Sequence, residues 1–451
     1  MRYEFKDYHG DLIRSVSELI RIPTVFDEAT VTKGMPYGKK VYEGYVWLKA
    51  KAQNDGFEVK EYDGHALAVR IPGNPASERI DVVSHLDVVE PGTGWENDPF
   101  SGAVMDGHVH GRGAQDMKGP LIATYYALKY IKDNRIPCNR ELRIVIGCDE
   151  ERTMDDMRYY LDKAKEPIFA FTPDGKFPYS YGEKGALMWT MDQKVRTSIR
   201  ELDGGVQCNV VSPMATAFLD GTGDITSYRY MLSKLGYEGE VLDKDGGSLI
   251  RVMGKAAHAS RPEEGVNATV RLLELIGTVT GDRLSQLLYR CFSDCHGRGA
   301  NIAHDIEPMG KLTLNLGILR IKNQHLKAEI DCRYPYGIGS DTLTKEMNKA
   351  LEPLKVRLVY DDKPTLVARE SPFLKVLLDT YREIAHDPEA EPLMGHGVTY
   401  SKVFSNCVAF GPLRKHEQSL AHQANEKIGI NELYDLMKIY THAMTRLANL
   451  I

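Results

Sequence analysis

The stretch VVSHLDVVEPGTGW sets His85 and Asp87 two residues apart at the end of an apolar run. On an extended strand such residues face the same side, so Asp87 can lie beside the His85 imidazole and accept its second ring proton, as in a metal-binding histidine. An aspartate that merely satisfies a structural histidine is the plain alternative. Other segments place carboxylates at the same kind of junction. HGRGAQDMKGP supplies Asp116 before a helix, IVIGCDEE supplies Asp149, Glu150 and Glu151 after a buried strand, and FAFTPDG supplies Asp174. Carboxylates gathered at one end of a sheet repel one another and are costly to desolvate unless a cation sits between them. Histidine with carboxylates and no cysteine suits zinc, with manganese or cobalt as substitutes. Neighbouring side chains leaving a strand point different ways, so one of Glu150 and Glu151 can bind metal while the other handles protons as a general base.

The elements that must position these residues follow from apolar spacing. DLIRSVSELI and VYEGYVWLKAKAQNDG carry apolar residues at helical intervals. FEVKEYDG, HALAVRIPG and RIDVVSHLDVV read as strands, MKGPLIATYYALKYIKDN as a helix and ELRIVIGCDEE as a strand buried on both faces. This alternation predicts a doubly wound α/β layer, in which functional groups collect at the carboxyl ends of strands. From about residue 186 the texture changes. GSLIRVMG, EGVNATVRLLELIGTVT, KLTLNLGILRI, LKAEIDCRYP, DTLTKEMNKALEPL and KVRLVY run strand, helix, strand, strand, helix, strand, the ferredoxin-like βαββαβ pattern. The α/β texture then returns with NCVAFGP, so the expected layout is a catalytic domain over 1–185 and 385–451 interrupted by an inserted α+β domain over 186–384. No tandem repeat of fixed period is visible.

With 451 residues, the chain is too long for one ordinary core. Its 42% hydrophobic and 27% charged residues and its net charge of −6 mark a globular protein without the basic surface of a nucleic-acid binder. The start lacks the apolar core of a secretory signal, and no run is long enough to span a bilayer, so a cytoplasmic location without membrane attachment is expected. The seven cysteines are scattered and read as reduced thiols. Cys291 and Cys295 could share a helical face ahead of His296, but the second half of the usual zinc pattern is missing.

Taken together, SHLDVV, GWENDPF, GRGAQDMKG, DEE, TPDG with EKG, GKAAHASRPEEGVNA, DCRYP, MGHGVTY and LAHQANEKI resemble the co-catalytic zinc peptidases of the aminoacylase and carboxypeptidase group, and within it the PepV-like bacterial dipeptidases. The similarity runs in order from about residue 10 to 445. It implies a di-metal dipeptidase in which His85 and Asp174 bind one ion, Glu151 and His422 the other, and Asp116 bridges them. Asp87 would orient His85, and Glu150 would be the general base. The inserted domain resembles the family's lid, which would bring His258 over the site, with Asn209, Arg333 and Gly397 as substrate contacts. The alternative within the same chemistry is an N-acyl-amino-acid or succinyl-diaminopimelate deacylase; a rival of another class is an inactive metal- or peptide-binding protein on the same scaffold. Two departures from the family pattern concern substrate contacts more than activity: His396 within the glycine-rich turn and Arg152 after the glutamates. The long lid, including TAFLDGTGDITSYRYMLSKLGYEGEV, resembles the enlarged lid that replaces a partner subunit in that branch, which implies a monomer, with a homodimer as the alternative.

Overall fold

The computed structural model describes residues 4–74, 78–221, 225–244, 246–395 and 398–450. The chain divides into two compact units, Met1–Gly182 with Leu366–Ile451, and Glu183–Thr365. The second junction therefore lies at Thr365 rather than 384. The helix Pro372–Ile384, expected in the inserted domain, buries Leu374, Leu377 and Tyr381 in the core of the first unit.

In the first unit the strands Glu141–Gly147, Arg79–His85, Phe169–Thr172 and Cys407–Ala409 lie side by side and parallel. Ala66–Ile71 and Glu58–Tyr62 extend this sheet antiparallel beyond Glu141–Gly147. Both faces are covered, and the period of two along each strand divides the residues between them. Leu67, Val69, Ile80, Val82, Ile144 and Ile146 join a core with the helices His9–Ile20, Lys39–Asn54, Lys118–Asp133, Pro372–Ile384 and Ile430–Ala448. Ala66, Ala68, Val83 and Val145 join Met157 and Tyr160 of the helix Asp155–Ala164 on the other side. This is the doubly wound layer that the continuous apolar strands call for.

The second unit is built on an eight-stranded antiparallel sheet. One half runs Thr313–Lys322, His325–Tyr334, Gly185–Lys194, Arg357–Asp362. With the helices Arg283–Phe292 and Ser340–Ala350, these strands form a βαββαβ unit whose opening strand is Gly185–Lys194. GSLIRVMG, expected to open that unit, instead forms Gly247–Met253 in the other half, which runs Gly239–Lys244, Gly247–Met253, Met214–Asp220, Ile199–Gly204. That half has the same strand layout, with the helices Ile225–Lys234 and Ala268–Thr280, but its closing strand Ile199–Gly204 comes first in the chain. All four helices and the sheet share one core, including Trp189, Tyr228, Leu272, Leu288 and Met347.

Candidate metal centre

The residues that could carry chemistry converge on the carboxyl ends of the parallel strands in the first unit. His85 is the last residue of Arg79–His85 and pairs in register with Gly147, the last residue of Glu141–Gly147. Glu150 and Glu151 follow in the turn beyond Gly147, and Asp174 stands just past Phe169–Thr172. Asp116 precedes the helix Lys118–Asp133, and the Asp116–Met117 peptide is cis. His422 lies in a loop with a left-handed backbone, φ 63°, a conformation that non-glycine residues adopt only where surrounding contacts impose it.

The distances join these groups through one carboxylate. His85 Nε2 lies 3.1 Å from Asp116 Oδ1, 3.6 Å from Asp174 Oδ2 and 4.0 Å from Glu150 Oε2. His422 Nε2 lies 3.3 Å from the other Asp116 oxygen and 2.9 Å from Glu151 Oε2. Two donor sets result, His85 with Glu150 and Asp174, and His85 with Asp116 and Glu151, the atoms of each within 4.8 Å of one another. Glu150 Oε1 is buried without a hydrogen-bond partner. Burial pushes the Glu150 carboxyl well above its usual range, opposed by the charge of His85, and pushes Glu151 up to about 7. Burial alone would lower the His85 ring, but the neighbouring carboxylates of Asp116, Asp174 and Asp87 raise it well above its ordinary value. Hydrogen bonds to Asp116 and Glu151 lift His422 to about 10. Against its own burial, Asp116 is held below the usual carboxylate range by His422 and His85. Carboxylates crowded around two imidazoles need a cation among them, and these nitrogen and oxygen donors are ligands for one. The residues thus fit divalent ions bound through nitrogen and oxygen. Asp149 does not join them; it turns to Thr153 and Arg152.

The supports of this cluster differ in part from the expectation. His85 Nδ1 donates to the main-chain oxygen of Asp87 at 2.9 Å, while the nearest Asp87 carboxylate oxygen is 3.5 Å away. That carboxylate instead accepts from the backbone N–H groups of Glu150 at 3.2 Å and Glu151 at 3.1 Å. Asp87 therefore fixes His85 mainly through its backbone and the two glutamates through its side chain. Asp156 accepts from the N–H groups of Cys148 and Asp149 and from the Tyr400 hydroxyl. A Cβ on Gly147 would collide with that hydroxyl and carboxylate, so only glycine fits there.

Glu426 is a support that the sequence reading missed. Fully buried, it accepts from Arg112 Nη1 at 2.7 Å and from the backbone N–H groups of Gly113, Gln115 and Asp116 at 3.1, 2.8 and 3.0 Å. Arg112 also donates to the Gln423 carbonyl. One ion pair thus ties the Asp116 loop to the His422 loop. Its only signal in the sequence was a glutamate four residues after His422.

In the second unit, Asn209, His258 and Arg333 come together at one end of the sheet. Asn209 accepts from the N–H of Ala259, the Ala259 carbonyl accepts from Thr313, and Thr313 pairs with Arg333. Ser260 N–H donates to His258 Nδ1, which leaves the proton on Nε2, and burial together with Arg333 lowers the ring's pKa. Both bonds of the Arg333 fork go to Asp331 on the same strand, each at 2.9 Å. Of the departures, Arg152 lies over the Phe26 ring, 3.3 Å from its centre. His396 and Gly397, the latter expected to contact substrate, lie outside the described residues.

Known proteins resemble this chain over its full length. A candidate dipeptidase of Bacillus subtilis, YtjP, is 32% identical over 454 residues, covering 97% of each chain. Another from Staphylococcus saprophyticus, SSP1012, is 28% identical over 99% of each. The fold is that of a Staphylococcus aureus tripeptidase, with TM-score 0.60, 15% identity and 98% of each chain covered. Human carnosine dipeptidase 1 superposes with TM-score 0.58 at 14% identity over 99% of this chain and 98% of the other. The model of peptidase family M20/M25/M40 matches residues 82–446, the span that holds every residue of the cluster, and the chain belongs to that family.

Proposed function

We propose that the chain is a metal-dependent dipeptidase. The observation that carries this reading is the single carboxylate of Asp116 set between His85 and His422, each imidazole with its own acidic partners. His85 and Asp174 would hold one divalent ion, Glu151 and His422 a second, with Asp116 shared. The donor set favours zinc, with manganese or cobalt as substitutes. When bound, such a pair lowers the pKa of water and polarises a carbonyl.

The chain's own groups supply the rest. Glu150, buried with one oxygen unbonded, takes the proton of the attacking water and hands it to the leaving amine. Asp87 fixes the backbone of both glutamates. His258, neutral with its proton on Nε2, is the donor for the oxyanion of the tetrahedral intermediate. Arg333, oriented by Asp331, offers its remaining N–H groups to the peptide's carboxylate, with Asn209 beside it. The enlarged second unit supports a monomer. A dimer in sedimentation would remove that part of the reading.

The test is hydrolysis of a dipeptide panel, with an N-acetylated amino acid as control, by chelator-stripped protein with and without zinc, manganese or cobalt. Metal-dependent cleavage of dipeptides alone is expected. Activity confined to the acylated control would make the enzyme a deacylase, and silence with every metal would overturn the reading.

A further inference from the structure

We propose that the second unit binds a divalent cation of its own, zinc by its chemistry, through Glu263, Cys295 and His296. Ligand atoms of these three side chains lie within 4.8 Å of one another. A thiolate, an imidazole and a carboxylate are the donors zinc accepts, whereas calcium and magnesium avoid sulfur. Cys291 is not part of the group: the helix Arg283–Phe292 ends before Cys295, and the Cys291 thiol donates instead to the Ala350 carbonyl.

The two central donors sit on a turn held from several sides. Asp294 accepts from the N–H groups of His296 and Arg298, both at 3.1 Å, and the Cys295 carbonyl accepts from Leu314 N–H at 2.7 Å. His296 Nδ1 donates to the Leu312 carbonyl at 2.9 Å. That bond fixes the tautomer and leaves the Nε2 lone pair for a ligand, as in metal-binding histidines generally. Glu263 comes from the short helix Pro262–Glu264, within a loop whose ends are joined by the mutual backbone bonds of Lys255 and Val266 at 2.9 and 2.8 Å. Glu263 and Cys295 also line a cavity of about 290 Å³, room for the water that completes a tetrahedral zinc with three protein ligands. Cys295 binds as thiolate, so its thiol proton leaves as the S–metal bond forms.

The loop that carries Glu263 also carries His258. A cation held between Glu263 and the 293–298 turn therefore anchors the His258 loop to the sheet beneath it. Residues of the second unit itself would then govern how firmly His258 is presented.

Cobalt reads this site separately from the nitrogen and oxygen cluster, because thiolate ligation produces an intense near-ultraviolet charge-transfer band. Full-length, chelator-stripped protein titrated with Co²⁺ is expected to develop that band. Cys295→Ser should abolish it, and Glu263→Gln and His296→Ala should move it to Co²⁺ concentrations higher by about tenfold or more. Glu263 is exposed, so its variant tests the site without threatening the fold. A cobalt-loaded parent without the band, or a band that survives Cys295→Ser, overturns the site. Amide hydrogen exchange across residues 255–266 should slow on metal addition in the parent but not in Cys295→Ser; equal behaviour of the two overturns the anchoring of the His258 loop.

Discussion

Glu150 and Glu151 are adjacent, yet their surroundings differ. Glu151 faces His422 at 2.9 Å, while Glu150 lies 4.0 Å from His85 and keeps one oxygen unbonded. A group that accepts a proton during reaction needs a free lone pair, which Glu150 Oε1 keeps, and burial raises the carboxyl's pKa. Removing its carboxylate should therefore leave the ions in place and slow the chemistry. Glu150→Ala is expected to retain the metal content of the parent, measured by elemental analysis, while kcat falls by roughly 10²–10⁴-fold. Near-parental turnover would show that another group moves the proton. That two such residues end a buried strand was legible in IVIGCDEE, because carboxylates at that position need a cation. Which one keeps a lone pair free was not, since it depends on His422 arriving from a segment more than 250 positions away in the chain.

The loops of the cluster owe their shape to buried acids that touch no reacting atom. Glu426 and Arg112 form an ion pair with side chains 0% and 2% exposed, and the same carboxylate caps three backbone N–H groups leading into Asp116. Breaking a buried pair leaves the partner charge uncompensated, at a cost of about 3–5 kcal/mol. Glu426→Gln should thus lower the Tm. Because it also loosens the segment that presents Asp116, it should weaken metal binding by about 10–100-fold, read by titration with a competing chelator. Loss of stability with unchanged metal affinity would make Glu426 a structural residue only. The sequence offered little warning of this, because the donors Glu426 satisfies are mostly backbone groups, which carry no residue signature.

At the scale of the molecule, the proposed chemistry is divided between two separately packed units. The proposed nitrogen and oxygen ligands all lie in the first, and Asn209, His258 and Arg333 lie in the second. If His258 acts on the transition state from the second unit, its loss should leave the first unit's ions untouched. His258→Ala is expected to cut kcat strongly with little change in metal content, and metal loss in that variant would contradict the assignment. The second unit also holds a βαββαβ layout twice within one sheet. No repeat of fixed period betrays it, because one copy is interrupted and the other begins with its closing strand.

By itself the sequence determined the local elements and the residues at their ends. Periods of two and of 3.6 follow from which side chains must leave water, and His85, Asp116, Glu150, Glu151 and Asp174 stand out because charge after an apolar strand requires compensation. Tertiary structure decided what spacing does not encode. It gave the Asp87 carboxylate to the glutamates rather than to His85 and engaged the Arg333 fork with Asp331. It moved the second domain boundary to Thr365, because Leu374, Leu377 and Tyr381 pack into the first unit's core. It also replaced Cys291 with Glu263 beside Cys295 and His296. Each of these outcomes depends on a pairing between residues brought together only by folding, where a hydrogen bond or a buried contact goes to whichever partner the packing places nearest.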